Sequence, residues 1–375
     1  MLNGGDFHAA LTQRGVGLFT GVPDSLLAGF CAYLEGHSGP PRHVIAANEG
    51  GAVALAAGHH LATGQIGLVY MQNSGLGNAL NPLVSLADPA VYSVPMLLLV
   101  GWRGEPGQAD EPQHVTQGRV TLRLLDALEI PHAVLPEDEA GMASCLDAAF
   151  ASLRERRGPY ALVARKGTFA PGPARQAAAN PYALSREQAI QSVVDQLDPR
   201  DIVVATTGMS SRELFEHRAA LGQRHGGDFL TVGSMGHASQ IALGIALARP
   251  DRQVYCLDGD GALIMHLGSL PIIASQAARN FRHVVLNNGA HDSVGGQPTA
   301  GFAMDIPAIA RHCGYPTACR ADTAAAVAEA LTRLRDSDGP ALLEIRIRTG
   351  ARANLGRPTR TPAQNKADFM AFLSA

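Results

Sequence analysis

The feature that most constrains the fold is a pair of polar residues, Asp260 and Asn288, that stand 28 positions apart (288 − 260). Each follows a short apolar run, 254–257 before the Asp and 284–286 before the Asn. The segment between them, 263–278, has helical character. A strand–helix–strand unit places its two parallel strands in one sheet, so we expect both side chains at the same carboxyl edge.

Carboxylate and amide oxygens at such an edge suit Mg²⁺, which takes a few protein oxygens and completes its shell with phosphate oxygens. Gly261 and Ala262 open the next helix, and the free N–H groups of a helix N-terminus favour phosphate. Together these residues predict a site for a diphosphate that Mg²⁺ bridges to Asp260 and Asn288. An ordinary strand-to-helix turn followed by a polar strand end is the alternative interpretation.

The chain also repeats one pattern in its two halves. A helical run at 140–157 ends at Gly158, and a proline and an apolar strand follow. A second helical run at 323–335 leads to Gly339, a proline and another apolar strand, 181 positions later (339 − 158). A repeat this long predicts two related α/β domains, and continuous apolar strands are typical of parallel sheets that are covered on both faces.

The predicted fold class is therefore α/β, with two related doubly wound parallel-sheet domains and no middle domain. We expect the first domain at 1–168 and the second at 185–375. Residues 169–184 contain several Pro and Ala residues and are interpreted as a linker. A segment of this length leaves no room for a third domain.

Composition and charge argue against several classes of protein. A net charge of −3 and 17% charged residues give no sign of a nucleic-acid or anionic-membrane partner. The five cysteines are odd in number and lack CxxC spacing, which predicts reduced thiols and no zinc site. The N-terminus lacks the basic and apolar segments of a signal peptide, so we expect a cytoplasmic protein.

The spacing of the GDG motif at 259–261 and the Asn pair at 287–288 resembles that of thiamine diphosphate (ThDP) enzymes. Without a middle domain, the chain resembles the short 2-oxoacid decarboxylases, which act on phosphonopyruvate or sulfopyruvate. The strings that are similar to the phosphonopyruvate branch are TGVPDSLL at 20–27, MQNSGLGN at 71–78, GWRGEPG at 101–107, DEPQH at 110–114 and NNGAHDSVGGQP at 287–298.

The resemblance implies a pyrimidine-binding first domain and a diphosphate-binding second domain, with ThDP and Mg²⁺ as cofactors. It implies that Asp260, Asn288 and the backbone carbonyl of Ala290 are the Mg²⁺ ligands. It also implies that Glu49 contacts the aminopyrimidine ring of ThDP and promotes deprotonation of the reactive thiazolium carbon. From the local sequence alone, Glu49 is more simply a residue that stabilises a helix N-terminus.

Further cofactor contacts follow from the same resemblance. Met235 would wedge between the two rings of ThDP, and the carbonyl of Gly233 would accept from its 4′-amino group. The alternative for Met235 is an ordinary core methionine at a turn. Gly208 and Ser210 would touch the diphosphate, as would Gly261 and Ala262, although Gly208 and Ser210 fit a helix N-cap equally well.

The reaction that the resemblance implies is the non-oxidative decarboxylation of 3-phosphonopyruvate to phosphonoacetaldehyde and CO₂, as in phosphonate and antibiotic biosynthesis. Besides Glu49, the catalytic candidates are His114, as a proton donor, and Asp24. A dianionic phosphonate is bound by Arg and by hydroxyl or N–H donors. Several such donors, and residues next to them, lie on loops that we expect to connect a strand to a helix. The candidates for the substrate pocket are Ser25, Arg103, His291, Asp292 and Ser293.

Several alternatives stay open at this point. Asp24 could simply cap the helix after Pro23, and Arg103 could hold its own loop through Glu105 or Glu111. The enzyme could be a sulfopyruvate decarboxylase, or a carboligase that joins its product to an aldehyde. A non-catalytic ThDP-binding subunit is disfavoured by the presence of Glu49 and of the complete metal motif.

The resemblance also bears on assembly. It implies a homodimer or a multiple of dimers, with the active site at the subunit interface. The expected partner is a small 2-oxoacid substrate, with no nucleic acid and no membrane.

Overall fold

The structure, a computed structural model, describes residues 1–172 and 180–375. The chain divides into two compact units, Met1–Gln176 and Ala177–Ala375. Each unit contains a six-stranded sheet. No helix of the described residues is both long enough and apolar enough to cross a membrane.

The first unit alternates helices and strands along the chain. Its helices are α1 (Gly4–Gln13), α2 (Ala28–Gly36), α3 (Glu49–Thr63), α4 (Leu76–Pro82), α5 (Pro112–Ala127) and α6 (Glu139–Arg156). Its strands are β1 (Val16–Gly21), β2 (Arg42–Ile45), β3 (Ile66–Gln72), β4 (Met96–Gly101), β5 (His132–Val134) and β6 (Tyr160–Ala164). Short 3₁₀ turns lie at Ser25–Leu27 and Asn73–Gly75, and a π-helical segment lies at Leu83–Ala87.

The second unit repeats this alternation and adds a small hairpin. Its helices are α7 (Arg186–Val194), α8 (Met209–Ala220), α9 (Ala238–Ala248), α10 (Asp260–Met265), α11 (Ser269–Gln276), α12 (Ile306–His312), α13 (Ala324–Arg335) and α14 (Pro362–Ser374). Its strands are β7 (Ile202–Ala205), β8 (Asp228–Leu230), β9 (Val254–Gly259), β10 (Phe281–Asn287), β13 (Thr317–Ala321) and β14 (Ala341–Arg346), and the hairpin consists of β11 (Ala290–His291) and β12 (Gln297–Pro298).

The two main sheets share one topology. The first has the order β2-β1-β3-β4-β6-β5 and the second, read from its β8 edge, has the order β8-β7-β9-β10-β14-β13. If the β11–β12 hairpin is set aside, these orders are equivalent strand for strand. All neighbouring strands in both sheets are parallel. The prediction of two related parallel-sheet domains is therefore confirmed.

Both faces of each sheet are covered by apolar side chains. In β4, Leu97 and Leu99 contribute to one core and Leu98 and Val100 to another. All of these side chains are fully buried. Successive residues of a strand point to opposite faces, so a continuous apolar run is what a doubly covered strand requires.

The prediction of a single helical segment over 263–278 is wrong. The structure has two helices there, α10 and α11, with a break after Met265. Pro271 explains the break because it has no N–H to donate to the carbonyl of Leu267. A new helix that begins at Ser269 places Pro271 in its first turn, where an N–H group has no intrahelical partner.

The expected linker, 169–184, is described only in part, since residues 173–179 lie outside the described residues. Phe169 is buried in a core of the first unit. The N–H of Ala170 donates to the carbonyl of Leu2 at 2.9 Å. The chain thus stays packed on the first unit beyond residue 168. After the gap, the Asn180 side chain donates to the carbonyl of Ile347 at 3.1 Å, within the second unit.

A buried arginine side chain lies at the amino end of the second sheet. Arg282, at 1% exposure, is among the largest fully buried side chains of the described protein. Its guanidinium donates to the backbone carbonyl of Phe281, at the start of β10, and to those of Arg335, Ser337 and Gly339, which precede β14. This one side chain therefore satisfies carbonyls that lie where water has little access.

We expect Arg282→Ala to lower the free energy of unfolding by about 3 kcal/mol or more, because several carbonyls lose their donor at once. Urea titration followed by circular dichroism measures the change. Arg279→Ala is the matched control, since Arg279 and its partner Asp338 are each 78% exposed. Removal of such an exposed ion pair should change stability by less than about 1 kcal/mol. Equal effects of the two substitutions would contradict this account of Arg282.

Candidate active site

The carboxyl edge of the second sheet gathers the loops that follow β8, β7, β9 and β10, which are neighbours in that order. These loops carry Gly233, Gly208, Asp260 and Asn288, respectively. Four of the residues that the sequence analysis selected thus lie along one edge, as expected for parallel strands.

Asp260 is the most deeply placed of them. It is 2% exposed and is the first residue of α10. Its carboxylate accepts backbone hydrogen bonds from Asn288 and Gly261 and a side-chain hydrogen bond from the Thr299 hydroxyl. Burial nevertheless dominates and raises the pKa of Asp260 to about 6. A carboxylate that is desolvated in this way has a strong electrostatic reason to pair with a cation.

Asn288 contacts Asp260 through its backbone N–H, and its side chain has a defined orientation. Its Oδ1 accepts from the N–H of Ala290 at 3.0 Å, and its Nδ2 donates to Oδ2 of Asp292 at 2.7 Å. Asp260 carries carboxylate oxygens and Asn288 an amide oxygen, which are the types of donor that Mg²⁺ prefers. The arrangement fits Mg²⁺, for which Asp260, Asn288 and the carbonyl of Ala290 are the candidate ligands.

Asn287, the first residue of the Asn pair, has a different role. Its Nδ2 donates to Oε1 of the buried Glu344 at 2.8 Å and to the carbonyl of Gly301 at 2.9 Å. A Cβ atom on Gly301 would lie 2.5 Å from Oδ2 of Asp260. Asn287 therefore fixes the returning loop against Asp260, and the sequence motif gave no indication of this.

The glycine loops after β7 and β8 are tied together. Gly208 precedes α8 with φ +99°, and Gly233 has φ +76°, so both adopt a conformation that favours glycine. The N–H of Gly233 donates to Oγ1 of Thr207 at 3.0 Å. Ser210 is buried in the first turn of α8, and Met235 is half-buried in the loop before α9.

The three candidate site residues of the β11–β12 hairpin, His291, Asp292 and Ser293, have different neighbours. His291 lies against the GDG loop, since a Cβ atom on Gly261 would be 3.2 Å from the His291 ring. Burial lowers the pKa of His291 to about 4, so its neutral form prevails near pH 7. Ser293 lies beside Gly208. Asp292 is engaged by other groups of the protein, including Arg186.

Glu49 opens α3 in the first unit and is buried, at 5% exposure. Asn48 caps this helix through the N–H of Gly51. Oε2 of Glu49 accepts from Nδ2 of Asn78 at 2.8 Å. Gly75 packs directly on the carboxylate, because a Cβ atom there would lie 2.4 Å from Oε1.

Asp24 is fully buried in the same unit. Its carboxylate caps the 3₁₀ turn through the N–H of Leu26 and accepts from Nε2 of Gln72 at 2.8 Å. Gly101 leaves room for it, since a Cβ atom there would lie 2.0 Å from Oδ2. Burial raises the pKa of Asp24, and the hydrogen bond from Gln72 opposes that rise. Asp24 thus caps its turn and also joins a buried polar network.

Arg103 braces its own loop through Asp110, which the sequence analysis did not single out as its partner. Its guanidinium forms a two-pronged ion pair with Asp110, and Nη1 donates to Oγ of Ser25 at 3.1 Å. Glu105 pairs with Arg165 at 2.8 Å. The hydrogen bond from Arg103 holds the pKa of Asp110 well below its usual range. Arg103 and Ser25 therefore lie together, next to a carboxylate.

His114 lies in the first turn of α5 and is 8% exposed. Its Nδ1 is buried and has no hydrogen-bond partner among the described residues. Burial, and secondarily Arg103, lower the pKa of His114. The neutral imidazole is therefore favoured, with one ring nitrogen able to donate and the other to accept.

Sequence reasoning missed the side chains that hold the predicted residues in place. Asn78, Gln72 and Asp110 belong to the quoted strings or border them, and Thr299 follows the last string directly. Their positions near the motifs were the available signal. Their partners lie 7 to 48 positions away, at distances that only the folded chain defines.

Each unit matches a protein-family model. Residues 4–129 match the model described as thiamine pyrophosphate enzyme, N-terminal TPP binding domain, and residues 206–345 match the C-terminal TPP binding domain of the same enzymes. The matched segments contain the Glu49 site and the Asp260–Asn288 site, respectively. Fold and site thus define a thiamine pyrophosphate enzyme.

Curated relatives narrow this class. The chain is 38% identical to a phosphonopyruvate decarboxylase of Streptomyces viridochromogenes, over 100% of this chain and 96% of that one. It is 37% identical to that of Streptomyces hygroscopicus, over 99% and 94%. A sulfopyruvate decarboxylase of Methanosarcina acetivorans is 30% identical over 76% of each chain. The chain belongs to the family of the phosphonopyruvate decarboxylases.

The contact between Gly75 and Glu49 is testable. The φ of Gly75 is −73°, open to any residue, so the absence of a side chain is what the contact requires. We expect Gly75→Ala to lower stability by about 1–3 kcal/mol through overpacking against the carboxylate. In a Glu49→Ala background the same change should cost much less.

Gly77→Ala is the matched control, because nothing lies within 4 Å of the position where its Cβ would be. An added methyl group in α4 should leave stability unchanged or slightly higher. Urea unfolding of the four proteins of the cycle gives the coupling between residues 49 and 75. Additive effects of the two changes would show that the residues are not in contact.

Proposed function

We propose that this chain catalyses the non-oxidative decarboxylation of 3-phosphonopyruvate to phosphonoacetaldehyde and CO₂, with ThDP and Mg²⁺. The observation that supports the proposal is a buried carboxylate, Asp260, beside Asn288 at the carboxyl edge of the second sheet, in a chain that aligns from end to end with phosphonopyruvate decarboxylases. ThDP, when bound, supplies the electron sink that lets a carboxylate leave as CO₂.

The residues of the second unit would hold the diphosphate end of the cofactor. Asp260, Asn288 and the Ala290 carbonyl would bind Mg²⁺, and the GDG loop and the Gly208 loop would surround the phosphate groups. Gly233 and Met235 would contact the rings of the cofactor. Metal binding would relieve the desolvation that now raises the pKa of Asp260. The charged carboxylate would then be the stable form in the loaded site.

Glu49 would act on the aminopyrimidine end, in the role that the family resemblance assigns to it. Burial excludes water from its carboxylate, while Asn78 and Gly75 restrict where the carboxylate can lie. A positioned acid–base group of this kind contributes a factor of about 10²–10⁴ to rate. Held in one place, Glu49 could exchange a proton with a ring nitrogen that is presented to it.

The phosphonate group of the proposed substrate is a dianion and needs hydrogen-bond donors from the protein. Ser25, Arg103, His291 and Ser293 are the candidates that lie at the strand ends of their respective units. Arg103 already pairs with Asp110, so its fork is oriented before substrate arrives. Asp292 is better explained by its contacts to the protein than by contact with substrate.

Substrate choice tests the proposal. We expect kcat/KM to fall in the order phosphonopyruvate, sulfopyruvate, pyruvate, with a factor of up to about 10⁴ between the first and the last. The reason is that donors arranged for a dianion stay buried and unpaired when a methyl group replaces it. CO₂ release from the three acids, assayed in parallel with ThDP and Mg²⁺, measures the order.

Metal-stripped protein without added Mg²⁺ is the control for the cofactor requirement. A preference for sulfopyruvate would reassign the substrate within the same fold. Formation of a coupled product when an aldehyde is added would instead favour a carboligase.

We further propose a cytoplasmic homodimer, or a multiple of dimers, with the active site shared between subunits. The helix that begins at Glu49 supports this, because α3 exposes Leu55 and Leu61 at 43% and 72%. Gly58 on the same helix has open space where a side chain would be. A small, apolar helix surface of this kind is typical of a face that another protein surface covers.

A mixing experiment tests the shared site. Glu49→Gln and Asp260→Ala chains should each be inactive alone. If a site combines the first unit of one chain with the second unit of another, each mixed dimer contains one intact site, and random mixing should restore about one quarter of wild-type activity. Co-expression with two affinity tags yields the mixed dimers, and CO₂ release gives their activity. Mixed dimers that remain inactive would rule the shared site out.

A further inference from the structure

Asp292 has an environment that the substrate role does not explain. Its Oδ2 accepts from Nη1 of Arg186 at 3.2 Å, from Nδ2 of Asn288 at 2.7 Å and from the N–H of Gly350 at 2.9 Å. These donors come from α7, from the loop after β10 and from the segment after β14. The carboxylate is thus held by parts of the second unit that are distant in sequence.

The hydrogen bond between Asn288 and Asp292 fixes which end of the Asn288 amide faces Asp292. A carboxylate only accepts hydrogen bonds, so the Asn288 amide must turn its NH₂ group towards Asp292. Oδ1 then faces the other way, where the N–H of Ala290 donates to it at 3.0 Å. Asp292 and the N–H of Ala290 therefore select one amide orientation, with Nδ2 towards Asp292 and Oδ1 away from it.

Arg186 links Asp292 to a second carboxylate. With a 7% exposed side chain, it also pairs with the buried Glu213 at 2.8 Å. The Asp292 carboxylate is thereby held in place next to Asn288.

The segment after β14 completes this environment, although the sequence assigned it no role. Gly350 reaches Asp292 with φ +95°, a conformation that favours glycine. Beyond it, Arg352 pairs with Glu187 at 3.0 Å, and Arg212 donates to the carbonyl of Gly356 at 2.6 Å. These contacts fix the segment on α7 and α8 and keep the Gly350 N–H in place.

We propose that Asp292 is a positioning residue that orients Asn288 for Mg²⁺, and that the segment after β14 supports it through Gly350. The inference rests on the proposed function, since it takes Asn288 as a Mg²⁺ ligand. Carboxylates that orient metal ligands in this way typically change metal affinity by 10- to 100-fold when removed.

The test measures cofactor binding without turnover. Calorimetric titration of ThDP into the full-length protein, at a series of Mg²⁺ concentrations, gives the Mg²⁺ concentration for half-maximal binding. We expect Asp292→Asn to raise this concentration about 10- to 100-fold. Asp251→Asn, at an exposed aspartate that also pairs with arginines, is the matched control and should leave it unchanged.

A charge-conserving variant separates orientation from simple loss of charge. Asp292→Glu keeps the negative charge but shifts the carboxylate by one methylene, so we expect it too to raise the Mg²⁺ concentration for half-maximal ThDP binding. A wild-type Mg²⁺ requirement in this variant would show that Asp292 supplies charge and not orientation.

The outcomes are distinct. Failure of the wild-type protein to bind ThDP in a Mg²⁺-dependent manner would refute the proposed function itself. Normal wild-type binding with an unchanged Mg²⁺ requirement in the Asp292 variants would overturn only the positioning role. If the Asp292 variants instead show only a raised KM for substrate, Asp292 belongs to the substrate pocket.

Discussion

The burial of one carboxylate, Asp260, is the interaction on which the candidate site depends. At the end of β9 it is almost wholly removed from water, and the backbone donors around it do not fully offset that loss. A desolvated carboxylate favours either a proton or a cation. The Thr299 hydroxyl and the backbone of Asn288 donate hydrogen bonds to it, and Asn287 fixes the adjoining loop. The rest of the second unit can be understood as support for that carboxylate.

The internal repeat gives the protein two such edges, and each uses glycine to make room for an acidic side chain. Gly75 lies against Glu49 in the first unit, and Gly301 lies against Asp260 in the second. In both cases a methyl group would meet a carboxylate oxygen. The close packing keeps water out and restricts the carboxylate to one position, which a general acid–base group or a metal ligand both need.

Much of the architecture could be predicted because it depends on local pattern. Continuous apolar runs identified the central strands, since a strand that is covered on both faces carries apolar side chains throughout. The break between α10 and α11 was missed, although Pro271 was its local signal. Side-chain partnerships were harder, since Arg103 could pair with any of several nearby acids and the folded loop selects Asp110.

The sequence by itself determined the fold class, the parallel strand ends and the candidates Asp260 and Asn288, because spacing and apolar periodicity are local properties of the chain. Glu49 was selected only by the family resemblance. Only the tertiary structure decided what those side chains touch. Hydrogen bonds from Asn288 and from Gly350 meet at one oxygen of Asp292 and join residues that lie up to 58 positions apart. Contacts of that range depend on how loops pack over the sheet edge, and no local pattern encodes that packing.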